Sequence, residues 1–228
     1  MSLEISVLIP AYNEENKITR TIESLYKLKE VKQIIVIDDG SWDNTALVAS
    51  KAGAQVIKLS ANRGKGAALN EGAKYISKDW VALIDADLEE TASELKKLIP
   101  PVFEGNYDMA IAVFPPAVKK GGVGLVKNLA SLGLKIMTKN VFLAPLSGQR
   151  LMSKQVFLDL LPLAGGFGVE VGMTIDACLK GYRIVEVFTN MGHAETGRNW
   201  EGFLHRGKQF KDVFYTLTKK GWRKWSFF

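Results

Sequence analysis

Short apolar runs recur along roughly the first ninety residues, and each run gives way to polar side chains. Four of them predict buried strands, because strands of a parallel sheet are covered on both faces and show continuous apolar stretches. They cover residues 5–9, 33–37, 55–59 and 80–84. The intervening stretches have helical spacing, so the pattern predicts an α/β fold of βαβ units with right-handed crossovers.

The first stretch between strands predicts an amphipathic helix. The helix covers residues 15–29, and its apolar stripe consists of Ile18, Ile22, Leu25 and Leu28. Asn13 precedes this stretch, and asparagine is a favoured residue for capping the start of a helix. We therefore expect Asn13 to cap the helix.

The second half of the chain is less regular and predicts shorter elements. A helix after residue 124 has Leu125, Leu129, Leu132 and Ile136 on one face. The other expected elements are strands over 107–114 and 182–188, a short strand and helix after 145–150, a helix over 169–179 that ends at Gly181, and a basic helix from Arg198 onward.

Polar side chains follow each of the first four predicted strands. Asn13 and Glu14 follow the first strand, Asp38 and Asp39 the second, residues 62–65 the third, and Asp85 and Asp87 the fourth. The carboxyl ends of parallel strands meet at one edge of a sheet, where open α/β folds bind ligands. The sequence therefore predicts a single site at this edge.

Asp85 and Asp87 are the strongest candidates for chemistry in that site. Two carboxylates at positions i and i+2 repel each other, and a divalent cation relieves the repulsion. Oxygen ligands of this kind suit Mg²⁺ or Mn²⁺, which commonly also bind substrate phosphates. The alternative is a solvated strand-to-helix turn with an acidic helix start, since Thr91 and Ser93 could cap the next helix.

Length and composition are those of an ordinary globular protein. The chain has 228 residues, of which 47% are apolar and 24% charged, enough for one α/β domain with an extension. No apolar stretch is long enough to span a bilayer, and the early Glu4 argues against a secretory signal. Cys178 is the only cysteine, which excludes an internal disulfide. A cytoplasmic location is expected.

The net charge of +6 lies in the last part of the chain. Residues 198–228 contain 8 basic and 2 acidic side chains, whereas residues 1–197 contain 22 of each. Aromatic residues are interleaved with this charge, a pattern typical of membrane surfaces or nucleic acid. For residues 200–217 the alternative is a helix packed on the domain. For residues 221–228 an interfacial anchor is favoured over an oligomer contact.

The glycine motifs exclude two common kinds of nucleotide site. Gly64 and Gly66 are followed by Ala67, Ala68 and Leu69, so the dinucleotide fingerprint fails, and no P-loop motif occurs. The sequence contains no cluster of histidine and cysteine residues of the kind that binds zinc. A nucleotide held by scattered side chains, with a metal on its diphosphate, is the remaining interpretation.

Four motifs carry a resemblance to a known family. They are SVLIPAYNEE (6–15), VIDDGSWDNT (36–45), NRGKGAALN (62–70) and DAD (85–87). Together they resemble family 2 glycosyltransferases with the GT-A fold, close to the dolichyl-phosphate mannosyltransferase branch. The resemblance extends from about residue 6 to residue 187. It implies a Rossmann-like, mostly parallel mixed sheet flanked by helices, and the basic aromatic helix would follow it.

The same resemblance implies a set of nucleotide-sugar contacts. Base and ribose would contact the loop after the first strand and Asp39, whereas Asp38 is expected to hold the turn at Gly40. Arg63 and Lys65 would neutralise donor phosphate or pair with acidic neighbours. The implied residues are Pro10, Ala11, Tyr12, Glu14, Asp39, Arg63, Lys65, Asp85, Ala86 and Gln149.

The metal ligands and catalytic groups are implied in the same way. Asp87 and Asp85 would hold Mg²⁺ or Mn²⁺, with His193 as a third ligand or else a structural residue. Glu89 is a further candidate near the metal.

Glu170 would deprotonate the acceptor or else complement the start of its helix. Asp87 and Arg150 are the other implied catalytic residues, and Gln149 and Arg150 fall where relatives bind donor sugar or phosphate. Their motif is Ser-Gly-Gln-Arg, which departs from the Ser-Gly-Phe-Arg common among lipid-phosphate enzymes and leaves the acceptor open. The basic loop 119–124 could close over an anionic substrate or be solvated.

The sequence thus predicts a glycosyltransferase that uses a UDP- or GDP-sugar, with a divalent metal and an acceptor that is lipid-linked or phosphorylated. Residues 1–197 would form the catalytic domain, with a nucleotide half over about 1–90 and an acceptor half over about 91–197. Residues 198–228 would form an extension that contacts anionic membrane. A nucleotidylyltransferase and a non-catalytic sugar-nucleotide-binding protein are the alternatives. No nucleic acid partner is expected, and an oligomer is left open.

Overall fold

The computed structural model describes residues 3–115, 125–192 and 210–220, and in these ranges the centre of the fold is a seven-stranded sheet. Its strands are β1 (Ile5–Ala11), β2 (Val31–Asp38), β3 (Gln55–Lys58), β4 (Trp80–Leu83), β5 (Met109–Val113), β6 (Arg150–Ser153) and β7 (Ile184–Phe188). The order across the sheet is β3-β2-β1-β4-β6-β5-β7.

The strands are joined by helices on both faces. These are α1 (Ile18–Tyr26), α2 (Thr45–Lys51), α3 (Lys65–Gly72), α4 (Ile99–Phe103), α5 (Leu125–Thr138), α6 (Lys154–Asp159) and α7 (Val169–Leu179). Single-turn or irregular 3₁₀ segments cover Ala73–Tyr75, Glu89–Leu98 and Gly166–Gly168. A further helix over 210–220 is the terminal helix.

The sheet is parallel in its first half and mixed in its second. β1 pairs in parallel with both β2 and β4, and β3 extends this half beside β2. β6 runs antiparallel between β4 and β5, and β7 pairs in parallel with β5 at the far edge. The predicted mostly parallel mixed sheet flanked by helices is confirmed.

Alternate side chains of each central strand serve two separate cores. In β1, Val7 and Ile9 join the cluster that contains Ile22 of α1, whereas Leu8 joins the cluster that contains Leu69 of α3. Burial of both faces explains why the strand sequences are continuously apolar.

Ile18, Ile22 and Leu25 of the predicted stripe are buried, whereas Leu28 is partly buried and lies beyond the end of α1. Asn13 does not cap the helix. The helix begins at Ile18, and its preceding residue makes no side-chain capping bond. Asn13 lies in the left-handed region (φ 57°), and its side-chain oxygen accepts the backbone N–H of Trp42 at 3.1 Å. The polar side chain therefore joins two loops instead of starting a helix, which corrects the expectation.

The apolar face of α5 that the sequence shows is largely exposed, although Leu129 packs against the core. Leu125, Leu132 and Ile136 are 62%, 57% and 67% exposed, whereas Ala130 and Leu134 are fully buried. The buried face packs against α7 in a third core cluster. Because α5 has apolar residues on more than one face, its periodicity did not decide which face meets the domain.

The terminal helix packs on α5 and α7. Val213 is fully buried in the third cluster, and the ammonium of Lys220 pairs with the carboxylate of Asp176 in α7. In the described ranges, no helix combines the length and apolar character needed to cross a membrane. The predicted loop 119–124, the anchor at 221–228 and the rest of the extension lie outside the described residues.

Candidate active site

The turn after β2 brings two loops of the sheet edge into contact. Oδ1 of Asp38 accepts the backbone N–H of Ser41 at 2.9 Å, which fixes the turn. Gly40 has a φ of 76°, and a Cβ there would lie 2.7 Å from the carbonyl carbon of Ala61. Only glycine satisfies both the left-handed conformation and this close approach.

Asp39 holds the loop between β3 and α3. Its carboxylate is buried, and its two oxygens accept the backbone N–H groups of Arg63 and Gly64 at 2.8 and 2.7 Å. The sequence assigned Asp39 to the base of a nucleotide. In this structure the side chain positions the loop that carries Arg63, which is exposed, and Lys65.

The loop after β1 places Glu14 near the aspartates of the next strand. Its backbone N–H donates to Oγ1 of Thr45 at 2.8 Å. Burial raises the pKa of Glu14; Lys17 opposes this, and Asp87 and Asp85 add to it. The contributions of Asp87 and Asp85 to this pKa place their carboxylates in the same region as Glu14. Earlier in the loop, Pro10 is half-buried, Ala11 is buried and Tyr12 is exposed.

Asp85 is held on both of its oxygens. The ammonium of Lys65 lies 2.6 Å from Oδ1, and the side-chain amide of Gln149 donates to Oδ2 at 2.8 Å. The amide oxygen of Gln149 also accepts the backbone N–H of Asp85 at 3.1 Å. Gly148 completes the fit, because a Cβ there would lie 2.3 Å from the Lys65 nitrogen.

Lys65 also reaches Glu170 in the first turn of α7. Its nitrogen lies 2.8 Å from Oε1 of Glu170, and its side chain is 22% exposed. Burial lowers the pKa of Lys65, but the charges of Asp85 and Glu170 outweigh burial and raise the pKa above its usual range. One cation thus joins a carboxylate of the parallel half to a carboxylate of the mixed half.

Arg150 supports this cluster from inside the core. It is fully buried in β6, and its guanidinium donates to the carbonyls of Ser147 (3.2 Å) and Glu170 (2.9 Å) and faces the sulfur of Met109 at 3.7 Å. Burial lowers its pKa to about 10, although Glu170 and other acidic groups oppose this. Arg150 therefore positions the start of α7 from within the core, and its side chain does not line the open part of the site.

Two hydroxyl residues that the sequence motifs did not indicate hold the loop after β4. The hydroxyl of Thr21 in α1 donates to the carbonyl of Ala86 and accepts the N–H of Glu89, both at 2.8 Å. Ser24 donates to the carbonyl of Glu90 at 2.7 Å. Both hydroxyl residues are buried beside the apolar stripe of α1. Hydroxyls inside an otherwise apolar helix face were the available signal.

Glu89, the further candidate for the metal site, is paired with a basic residue of α1 instead. Its carboxylate pairs with the guanidinium of Arg20 in α1. Its backbone is in the left-handed region, with a φ of 50°. The side chain is thereby engaged with α1 in this structure.

Asp85 and Asp87 are the described groups that suit Mg²⁺ or Mn²⁺, because both offer carboxylate oxygens at one loop. Burial is the main cause of the raised pKa of Glu14, and the charges of Asp87 and Asp85 add to it. A cation bound at these aspartates would offset that added negative charge. Among the described residues, no group of three or more histidine, cysteine, aspartate or glutamate side chains forms a metal cluster. His193 lies outside them.

Two curated relatives have sequences similar to this chain. Glycosyltransferase AglJ of Haloferax volcanii is 30% identical over 81% of this chain and 62% of its own length. Glucosyl-3-phosphoglycerate synthase of Mycobacterium tuberculosis is 32% identical over 75% of this chain and 60% of its own length. The chain thus spans about three fifths of each relative.

Crystal structures of the mycobacterial synthase are similar in fold. The complex with Mg²⁺ and UDP has a TM-score of 0.79 at 29% identity and covers 95% of this chain and 78% of that protein. The complex with Mn²⁺, UDP and phosphoglyceric acid has a TM-score of 0.80 with the same coverage.

The family model described as Glycosyl transferase family 2 matches residues 6–143. That range contains the loops of Glu14, Asp39, Lys65 and Asp85, so the match includes most of the described site. This chain belongs to glycosyl transferase family 2.

Proposed function

We propose that this chain is a metal-dependent glycosyltransferase that moves a sugar from a UDP-sugar to a phosphorylated acceptor. The observation that carries the proposal is the bridge from Asp85 through Lys65 to Glu170, with distances of 2.6 and 2.8 Å. It joins the loop that would hold the donor to the helix that would face the acceptor. The UDP and phosphoglyceric acid bound to the mycobacterial synthase support both halves of the proposal.

The donor would lie along the carboxyl ends of β1, β2 and β4. Tyr12 is exposed there and offers a ring for the base, and Glu14 offers an acceptor for ribose hydroxyls. Asp39 would act through the loop that it holds, and Arg63 at that loop can meet phosphate. Gln149 would keep Asp85 in place as the donor binds.

Asp85 and Asp87 would hold the divalent cation, and we include His193 as a proposed further ligand. Bound there, the cation would supply positive charge to the donor diphosphate and favour its departure. Lys65 adds a second positive charge from the protein itself, since its raised pKa keeps it protonated. Preorganised charge of this kind is commonly the largest contribution to catalysis.

Glu170 lies on the acceptor side of the bridge. During transfer the bond from the sugar to the diphosphate oxygen breaks, and a bond to the acceptor oxygen forms. If the acceptor reacts through a hydroxyl, Glu170 would take its proton as a general base. If it reacts through a phosphate oxygen, no base is required, and Glu170 would complement the start of α7.

The acceptor is the less constrained partner. The resemblance to the dolichyl-phosphate mannosyltransferase branch favours a lipid phosphate, and the synthase with phosphoglyceric acid favours a small phosphate. A lipid phosphate and a small phosphate would each present an anionic group to Lys65. We place the small phosphate first, because the structural similarity to the synthase covers 95% of this chain.

A turnover assay tests the proposal. Full-length protein would be incubated with Mn²⁺ and UDP-glucose, UDP-N-acetylglucosamine or GDP-mannose, and with 3-phosphoglycerate or a polyprenyl phosphate. We expect nucleoside diphosphate release coupled to a glycosylated phosphate acceptor, abolished by EDTA. Formation of a sugar nucleotide from UTP and a sugar 1-phosphate would instead identify a nucleotidylyltransferase. Donor binding without release would identify a non-catalytic protein.

A further inference from the structure

The terminal helix packs closely against three glycines at and just before the start of α7: Gly166, Gly168 and Gly172. Any side chain at these positions would meet atoms of the terminal helix. A Cβ on Gly166 would lie 2.1 Å from the carboxylate of Asp212, and a Cβ on Gly168 would lie 1.9 Å from the hydroxyl of Thr216. The same Cβ on Gly168 would lie 2.9 Å from the backbone carbonyl oxygen of Asp212. One turn later, a Cβ on Gly172 would lie 3.3 Å from Cγ2 of Thr216. The helix backbone thus sits directly against the start of α7.

The opposite flank of the terminal helix is equally close to α5. A Cβ on Gly133 would lie 2.4 Å from a methyl carbon of Leu217. Val213, one turn before Leu217, is fully buried in the core cluster shared with α5 and α7. Lys220 pairs with Asp176 farther along α7. Contacts along its length therefore fix the helix.

The loop beneath the helix, residues 164–168, also packs against the candidate active site. A Cβ on Gly66 would lie 1.9 Å from the carbonyl oxygen of Ala164, and a Cβ on Gly64 would lie 3.6 Å from Cα of Gly166. Lys65 stands between those two glycines. The loop is therefore held between the terminal helix and the start of α3.

We infer that the terminal helix is a positioning element of the active site, with Asp212 and Thr216 as positioning residues. By fixing loop 164–168 against α3, they set the separation between Lys65 and Glu170, which lies in the first turn of α7 just after the loop. This inference rests on the proposed function. It assigns to residues 210–220 a role in transfer that does not require any membrane or partner.

Displacement of the terminal helix should affect transfer more than nucleotide binding. Displacing the helix would loosen the loop and the Lys65–Glu170 pair while leaving the bonds of Asp39 to the β3–α3 loop and of Gln149 to Asp85 in place. A displacement of about 1 Å can reduce a reaction rate on the order of 100-fold. Nucleotide binding should change much less than transfer.

Gly168→Ala tests the inference, with Gly165→Ala as its matched control. The added methyl of Gly168→Ala must push against Thr216, whereas no atom of the residues that the structure describes lies within 4 Å of a Cβ on Gly165. Gly165 has a φ of −76°, which alanine adopts without strain. In Gly168→Ala we expect kcat to fall about 10-fold or more, with the UDP affinity in Mn²⁺ within about 3-fold of wild type. Gly165→Ala should match wild type in both.

Hydrogen exchange provides a readout that does not depend on the substrate. We expect faster amide exchange in residues 164–168 and at the start of α3 in Gly168→Ala, but not in Gly165→Ala. Equal exchange in the two variants would overturn the inference. If Gly168→Ala does not fold, Thr216→Ala replaces it, because loss of the hydroxyl and methyl removes the contacts with Gly168 and Gly172 without adding atoms.

The two proposals fail in different ways. Lack of turnover by wild type with any donor would reject the proposed function, and the exchange experiment would still decide whether the terminal helix holds the loop. Turnover by wild type together with unchanged kcat in Gly168→Ala would reject only the positioning role. A uniform fall in thermal stability with no change in exchange at the loop would also reject it.

Discussion

Asp87 is the residue on which the metal hypothesis depends most directly. Its loop follows β4, and its charge contributes to the raised pKa of Glu14. We expect Asp87→Ala to weaken UDP binding in Mn²⁺ by at least about 10-fold, since even outer-shell changes around metals cost that much. Calorimetric titration with Mn²⁺ and with EDTA measures the effect.

The control is Asp79→Ala, because Asp79 is an exposed aspartate that precedes β4 at the opposite edge of the sheet. It should bind UDP as wild type does. Equal UDP affinity of wild type in Mn²⁺ and in EDTA would contradict the hypothesis, whatever the variant does.

Glu14 carries a charge that its surroundings disfavour. Its folded-state pKa is raised, mainly by burial and also by Asp87 and Asp85. The folded state therefore binds the proton more tightly than the unfolded state does. Its contribution to the free energy of unfolding becomes unfavourable as the pH rises from the ordinary pKa of 4.5 through the higher folded value. Below 4.5 this penalty disappears.

We accordingly expect Glu14→Gln to be more stable than wild type at pH 7 and to lose that advantage below pH about 4.5. Urea unfolding across this range measures it. Donor affinity should fall roughly 10-fold, because a hydrogen bond to a charged group is worth about 1.5–3 kcal/mol. Glu23→Gln, at an exposed position of α1, is the control and should change neither quantity. A less stable Glu14→Gln at pH 7 would contradict the argument.

At the scale of elements, the contact between α1 and the loop after β4 determines where Asp85 and Asp87 lie. Thr21 bridges that loop by accepting from Glu89 and donating to Ala86. Valine has the same shape but no hydroxyl, so Thr21→Val would leave both backbone groups without this partner. We expect a loss of about 1–3 kcal/mol in the free energy of unfolding, together with weaker UDP binding in Mn²⁺.

Thr138→Val separates these two effects. The hydroxyl of Thr138 donates to Leu134 within α5 at 2.8 Å, far from the loop in sequence. This variant should lose less stability and no UDP affinity. If Thr21→Val keeps full UDP affinity despite its lower stability, the contact is structural and does not position the metal loop.

For the whole molecule, the uneven charge raises the question of a membrane contact. The excess of 6 positive charges lies in residues 198–228, and the described part of that segment packs on α5 and α7. The contact we propose therefore concerns residues outside the packed helix, above all 221–228. Each basic residue near an anionic surface contributes about 1 kcal/mol, and aromatic side chains add interfacial burial.

We expect the protein to co-sediment with anionic liposomes, less so as the salt concentration rises and less so in a version that ends at Lys220. Neutral liposomes are the control. If neither version binds, or if both bind neutral liposomes equally, these residues do not form an anionic-membrane anchor. The case for a lipid-linked acceptor, the second choice in our proposal, would then weaken further.

The sequence by itself determined the four parallel strands, the edge at which their polar loops meet, and the family. Continuous apolar runs encode burial on both faces, and the carboxyl ends of such strands necessarily share one edge. These properties depend on neighbouring residues along the chain. They could therefore be read without knowing which distant elements meet.

The tertiary structure alone decided the rest. It placed β6 antiparallel between β4 and β5, turned Leu132 of α5 outward, and joined Lys65 to Glu170 across more than one hundred residues. Periodicity reports that a face is apolar but does not specify its partner. Likewise, the sequence shows that Lys65 carries a positive charge, but only the packing of the chain determines that Asp85 and Glu170 are its partners. Thr21 is the same case, since its hydroxyl acquires a role only where α1 meets the loop of Ala86.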